Sequence, residues 1–385
     1  MTTSVSNGAI DKVWEVQDAQ VSSGRIPGYV AAIRIAGQSY VRAGGRQAME
    51  PDAAPMDEQT LFRIASITKP IAGALTLTCV RDGVLTLDDP IARWLPELAE
   101  PRVLLTPDGP LDRTTAATRP ITVRNLLTMT SGWGAVMQST PLQAAMFERG
   151  IFPSSLPPAL TRDEFLARVA ELPLAFQPGE GWLYDTGIDL LGILLARATE
   201  TPLPELLADR VTVPLGMTST SFWTNESDRL ATAYRPGPEG LGTLDPADGV
   251  FARPREFERL GGGLLSTGPD LLRFFTALAD GGSPVLTAEE VALMTTPALT
   301  EEQRRQAEPI AGPGASWGLA TGVDIAPEFP WMAPGRWGWT GGSGTTAYVD
   351  PSRDLVAILL TQREMTGPRD GFEDFWAGAA ALATA

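Results

Sequence analysis

The sequence predicts an α/β protein of the α+β type, an antiparallel sheet flanked by helices with an all-helical lobe inserted into it. Three observations lead there. Strand-like segments lie near both ends of the chain and helix-like segments crowd its middle, which fits a sheet assembled from both termini. From Asp88 to about residue 255, Pro-rich and Gly-rich connections alternate with short helices. The 385 residues also exceed what a single core ordinarily holds. The expected division is an α/β lobe from residues 1–87 and 256–385 around a mainly helical lobe from residues 88–255.

In chain order, Asp11–Val21 reads as a first helix, ended by Ser22, Ser23, Gly24 and Pro27. Tyr29–Ile35 and Ser39–Arg42, separated by Gly37-Gln38, read as a hairpin. A helix over Ile71–Val80 closes at Gly83, placed where a left-handed residue is needed. Short helices follow at Thr122–Met129 and Arg162–Leu172, then the strongly apolar Ile188–Ala198. Thr267 is placed to cap a helix that tolerates Pro269 in its first turn and runs to about Ala279. Strand character returns in Thr346–Val349 and Leu355–Thr361, joined by the turn Asp350-Pro351-Ser352-Arg353, and Phe372–Ala383 is a closing helix.

Composition narrows the chemistry. No apolar run approaches membrane-span length, and a formal charge of −16 disfavours nucleic acid or an anionic membrane as partner. Met1 to Ile10 carries neither a basic nor an apolar signal region, so a cytoplasmic location is expected. The single cysteine, Cys79, sits in an apolar run and reads as a core thiol. With no histidine, every Ser-His-Asp or Cys-His mechanism is excluded, and so is a histidine-rich metal site. No metal and no cofactor are expected. The work falls to Ser, Lys, Tyr, Asp, Glu or Arg.

Three segments can carry it. Lys69, one of only two lysines, lies three residues after Ser66, so one helical turn brings its amine to the hydroxyl. A helix N-terminus and partial burial both disfavour the ammonium, which would let Lys69 accept the serine proton. The second segment is Trp182-Leu183-Tyr184-Asp185-Thr186, containing one of five tyrosines, whose phenol can relay protons. The third is Trp337-Gly338-Trp339-Thr340-Gly341-Gly342-Ser343-Gly344, where glycines let a ligand approach backbone N–H groups. Gly314-Ala315-Ser316-Trp317-Gly318 fits the nucleophile elbow G-x-S-x-G, but that elbow needs a histidine base and is rejected.

Together these segments resemble the serine β-lactamase and penicillin-binding-protein superfamily, nearest its class C-like branch with the family VIII carboxylesterases. Leu61–Ser66, Ile121–Leu127 and Gly262–Thr267 also look like that branch, and the resemblance covers roughly residues 10–380. It implies a β-lactamase/transpeptidase-like fold, Ser66 as acylated nucleophile, Lys69 as its activator, and Tyr184 as the tyrosine of the Y-x-N motif. Trp339-Thr340-Gly341 falls on the K-T-G position. The implied oxyanion hole is the N–H of Ser66 and of Gly342.

Two departures bear on substrate. Thr186 replaces the motif's Asn and cannot present an amide's paired donor and acceptor. Trp339 replaces the motif's Lys, removing a partner for a substrate carboxylate and supplying an apolar wall. The expected function is therefore a serine hydrolase cleaving small uncharged carboxylic esters through an acyl-enzyme. The alternatives are an acyltransferase or amidase on the same scaffold, a β-lactamase or D,D-peptidase, and a non-catalytic binding module. The partner is a small-molecule ester or amide.

Overall fold

The computed structural model describes residues 7–368 and 370–384; the first six residues of the stretch read for a signal region lie outside them. Helix α1 (Asn7–Ser22) leads into strands β1 (Gly28–Ile35) and β2 (Gln38–Gly45). The other sheet strands come late: β3 (Ala315–Trp317), β4 (Gly322–Asp324), β5 (Trp337–Gly341), β6 (Thr345–Asp350) and β7 (Leu355–Thr361). They form one antiparallel sheet in the order β2-β1-β7-β6-β5-β4-β3. The first strand pairs with the last, Tyr29 opposite Thr361 and Ile35 opposite Leu355, so both ends of the chain share the middle of the sheet.

Alternation along the strands decides what packs on each face. Tyr29, Ala31, Ile33 and Ile35 of β1 meet Val13 and Trp14 of α1, and Phe375 and Trp376 of the closing helix Glu373–Ala381. Val30 and Ala32, with Val356, Ile358 and Leu360 of β7, face the opposite way into the larger core. There they join α2 (Thr68–Arg81) and the helix Gly268–Ala279. Thr267 caps that last helix by accepting from Asp270 N at 3.3 Å. Gly268 is a close approach, where an added Cβ would lie 2.7 Å from a Val30 methyl.

Between the two sheet-forming parts come the helices Val123–Leu127, Pro141–Glu148, Arg162–Ala170, α3 (Thr186–Thr199) and Leu203–Leu207. This region is not wholly helical: Arg102–Leu104 pairs with Thr114–Ala116, and Ala233–Gly237 with Gly240–Asp245. The helix expected to reach Met129 stops at Leu127, because Met129 takes a positive φ of 60°. Gly83 takes the left-handed conformation expected of it, at φ 71°. Helices Ala288–Thr295 and Glu301–Ala311 and the short strands β3 and β4 are additional to the elements read from sequence. Among the described residues no helix is long and apolar enough to cross a membrane.

Candidate active site

Ser66 sits in a single 3₁₀ turn, Ala65–Ile67, that leads directly into α2. Pro70 lies in the first turn of α2, where the ring and missing N–H favour such an irregular start. Ala65 is held at φ 44°, and the segment before it is fixed from two sides. Phe62–Arg63 pairs with Leu265–Ser266, and Ile64 donates to Leu264 O at 3.0 Å. From the β5–β6 hairpin, Thr345 Oγ1 donates to Ile64 O at 3.0 Å and Ser343 Oγ donates to Arg63 O. Gly341 allows this approach: a Cβ there would lie 2.3 Å from Ile64 O.

Lys69 is fully buried and its nitrogen has three hydrogen-bond partners. It donates to Ser66 Oγ at 2.9 Å, to the Asp185 carboxylate, and to Gly261 O. Its nitrogen also lies 4.4 Å from the centre of the Tyr184 ring. Burial pulls its pKa down, but Asp185, Tyr184 and Asp189 together outweigh burial and hold it above the ordinary lysine value. Burial and the helix end, which disfavour the ammonium, thus meet a buried carboxylate that favours it.

Tyr184 lies in the extended segment before α3, pinned where Ala135 N donates to Tyr184 O at 2.7 Å and Leu183 N to Met129 O at 3.0 Å. Its hydroxyl accepts from Trp339 Nε1 at 2.5 Å, and Ser66 lies near enough to favour the ionised phenol. The ring is boxed by Trp182, Trp339 and Trp317, with centroids 5.8, 5.8 and 6.1 Å away. Burial raises the pKa of Tyr184, opposed by Lys69, Ser66 and Trp339.

The structure thus brings Ser66, Lys69, Tyr184 and Trp339 together. Trp339 does more than form an apolar wall, since its indole N–H takes up the phenol oxygen. Gly341 ends β5 and Gly342 follows it, with Gly342 O accepting from Met365 N at 2.8 Å. Thr340 is half-buried on the same strand. Thr186 is 2% exposed and its hydroxyl has no hydrogen-bond partner, so it presents little surface to a ligand. Ser316 of the rejected elbow is buried in strand β3. A cleft of about 520 Å³ opens beside Tyr184, lined by Val136, Met137, Phe176, Leu183 and Ile310 with Arg305 among them. No group of three or more metal-ligating side chains occurs among the described residues.

Sequence reasoning missed three charged residues here. Asp185, Asp189 and Arg259 are buried around Lys69. The available signal was a pair of carboxylates four residues apart at the start of an otherwise apolar helix.

A family model described as Beta-lactamase matches residues 10–382. Protein Rv1367c of Mycobacterium tuberculosis (strain ATCC 25618 / H37Rv) is 40% identical over 322 residues, covering 80% of this chain and 79% of its own. Esterase EstB of Burkholderia gladioli is 32% identical over 377 residues, covering 92% of this chain and 91% of its own. A solved structure described as EstCE1, a hydrolase with promiscuous acyltransferase activity, superposes with a TM-score of 0.82 at 25% identity, over 97% of this chain and 98% of that one.

Proposed function

The chain belongs to the beta-lactamase family, and from that premise we propose that it is a serine hydrolase cleaving uncharged carboxylic esters through an acyl-enzyme on Ser66. The observation that carries this reading is Lys69 Nζ 2.9 Å from Ser66 Oγ and 4.4 Å from the centre of the Tyr184 ring, with Trp339 where a carboxylate-binding cation would otherwise stand. Ser66 Oγ attacks the ester carbonyl, and its proton passes into the Tyr184–Lys69 pair. The N–H groups of Ser66 and Gly342 hold the developing oxyanion. Collapse expels the alcohol, which takes the proton from Tyr184, and water then follows the same route to release the acid. The 32% identity to an esterase across nearly the whole chain supports the choice of ester over β-lactam.

A second reading, acyl transfer to an alcohol, is favoured by one feature. The mainly apolar cleft beside Tyr184 has room for an alcohol acceptor. One experiment addresses both: purified protein and a Ser66→Ala variant assayed on a panel of esters, amides and β-lactams, with and without added alcohol. Turnover of esters that disappears with Ser66 supports hydrolysis, and alcohol-dependent transester product supports transfer. A panel on which a β-lactam or an amide outperforms every ester overturns the proposal.

A further inference from the structure

The two N–H groups that hold the oxyanion in the proposed reaction come from separate parts of the chain. Ser66 lies in the turn before α2, and Gly342 in the turn between β5 and β6. Both donors have to reach one point, about 3 Å from each, so the spacing between the two turns has to be fixed. Among the described residues the main-chain hydrogen bonds tie each turn to its own neighbours. Ile64 N donates to Leu264 O at 3.0 Å, while Met365 N donates to Gly342 O at 2.8 Å and Thr361 N to Gly344 O at 2.9 Å.

Two side chains span the gap. Ser343 Oγ donates to Arg63 O and Thr345 Oγ1 donates to Ile64 O at 3.0 Å, joining residues 280 and 281 positions apart. Ser343 is 5% exposed and Thr345 is 0% exposed, so water has little access to replace either hydroxyl. Gly341 leaves room for the contact, since a Cβ there would lie 2.3 Å from both Ile64 O and Thr345 Oγ1. The two carbonyls belong to the peptide groups immediately ahead of Ala65, whose φ of 44° is a conformation that an L-residue keeps only under restraint. Fixing those peptide groups fixes the direction of the Ser66 N–H that follows.

We propose that Ser343 and Thr345 are positioning residues that set the separation of the two oxyanion donors, Ser66 N and Gly342 N. The inference deepens the reading of Ser66 as nucleophile and rests on it. Each hydroxyl reaches across from the hairpin that carries Gly342, so the hairpin cannot drift from Ser66 without breaking both bonds. Both hydroxyl protons are spent on main-chain oxygens, so these side chains act through the donors rather than on the ester. Their contribution arises as the carbonyl oxygen gains charge in the transition state. A hydroxyl that only satisfied a buried carbonyl would contribute to stability and leave the chemistry alone.

Thr345→Val removes one hydroxyl at nearly constant shape, Thr345→Ser keeps it, and Ser343→Ala removes the other. Each protein is titrated to completion with a fluorophosphonate, which counts competent sites so that kcat refers to folded protein. On a neutral aryl ester, Thr345→Val and Ser343→Ala should each lower kcat about tenfold with KM nearly unchanged, less than the roughly 10²–10³-fold cost of losing a donor outright. Thr345→Ser should recover most of that loss. Variants that melt at lower temperature yet keep the wild-type kcat overturn the inference, as does a Thr345→Ser protein no more active than Thr345→Val. Should one hydroxyl-free variant not fold, the other decides. Should neither fold, Ser343→Cys takes over, keeping a weaker donor in the same place, and an undiminished kcat there overturns the inference. A wild-type protein that neither turns over the ester nor takes up the phosphonate overturns the Ser66 reading and this one together. Wild-type turnover with unaltered variants overturns this one alone.

Discussion

Replacing Trp339 with Phe isolates the contribution of one N–H to catalysis. The substitution keeps an aromatic ring against Trp317, 4.6 Å away, and Tyr184, but removes the donor 2.5 Å from the phenol oxygen. Trp339 is 4% exposed, so water has little room to replace that donor. A hydrogen bond to a neutral acceptor contributes about 1 kcal/mol net, and one to a charged acceptor roughly 1.5–3 kcal/mol. The donor therefore favours the phenolate over the phenol by about 1.4 kcal/mol, which corresponds to roughly one pKa unit and one decade in rate. Burial already raises Tyr184, so kcat/KM on a neutral aryl ester should climb with pH in the wild type. In Trp339→Phe that ascending limb should move up by about one unit, giving a roughly tenfold deficit at neutral pH that closes as pH rises past the limb. The assay is a pH profile of kcat/KM for both proteins, with melting curves to confirm that each is folded across the range. A deficit that is the same at every pH would mean that Trp339 only shapes the cleft, and would refute the reasoning.

Other outcomes follow from the same geometry. A fluorophosphonate probe should modify one residue, Ser66, as located by digestion and mass spectrometry. Ser316, at 0% exposed, and Ser343, whose hydroxyl is committed to Arg63 O, should stay unmodified. Uncharged aryl esters should be turned over at least about a hundredfold better in kcat/KM than cephalosporins, because a carboxylate without its charged partner forgoes roughly 1.5–3 kcal/mol. Side-by-side kinetics check this, and near-equal efficiencies would contradict it. A chelator should leave ester turnover unchanged, which an assay in excess EDTA tests. Asp185→Asn should lower unfolding stability by roughly 3–5 kcal/mol, the cost of breaking a buried pair. Asp185 has a lowered pKa, so its contribution is present above about pH 4 and lost as pH falls through the folded value. Lys69 has a raised pKa, so its contribution is present below about pH 10 and lost as pH rises through the folded value. The loss in urea denaturation should hence be equal at pH 6 and pH 8.

The elements legible in the sequence were those whose signals are local. The N-cap at Thr267, the left-handed Gly83, and the hairpin around Gly37 depend on a few neighbouring residues and stand where they were expected. Helices Ala288–Thr295 and Glu301–Ala311 carried equally local signals that went unread, capping boxes in which Thr287 pairs with Glu290 and Thr300 with Gln303. Strands β3 and β4 had no such mark. Each is three residues long: β4 exists because β5 offers an edge, Gly322 pairing with Gly338 and Val323 with Trp337, and β3 because β4 then offers the next, Ser316 pairing with Val323. A segment that short takes its structure from the partner, which the local pattern does not name.

The site divides along the same line. The spacing of Ser66 and Lys69 is a property of one helical turn, and the 2.9 Å contact follows from it. The charge of Lys69 also depends on groups 116 and 192 residues away, Asp185 and Gly261, which the local pattern does not name. A stronger argument was available from charge accounting. Asp185 and Asp189 are one helical turn apart at the head of an apolar helix, and carboxylates buried there require cations within reach. The chain has two lysines, one already placed at the nucleophile, so the carboxylates had to meet Lys69, an arginine, or both. They meet both. The constraint runs in either direction: the carboxylates at the head of the helix need a cation, and a lysine buried beside the nucleophile needs a carboxylate within reach.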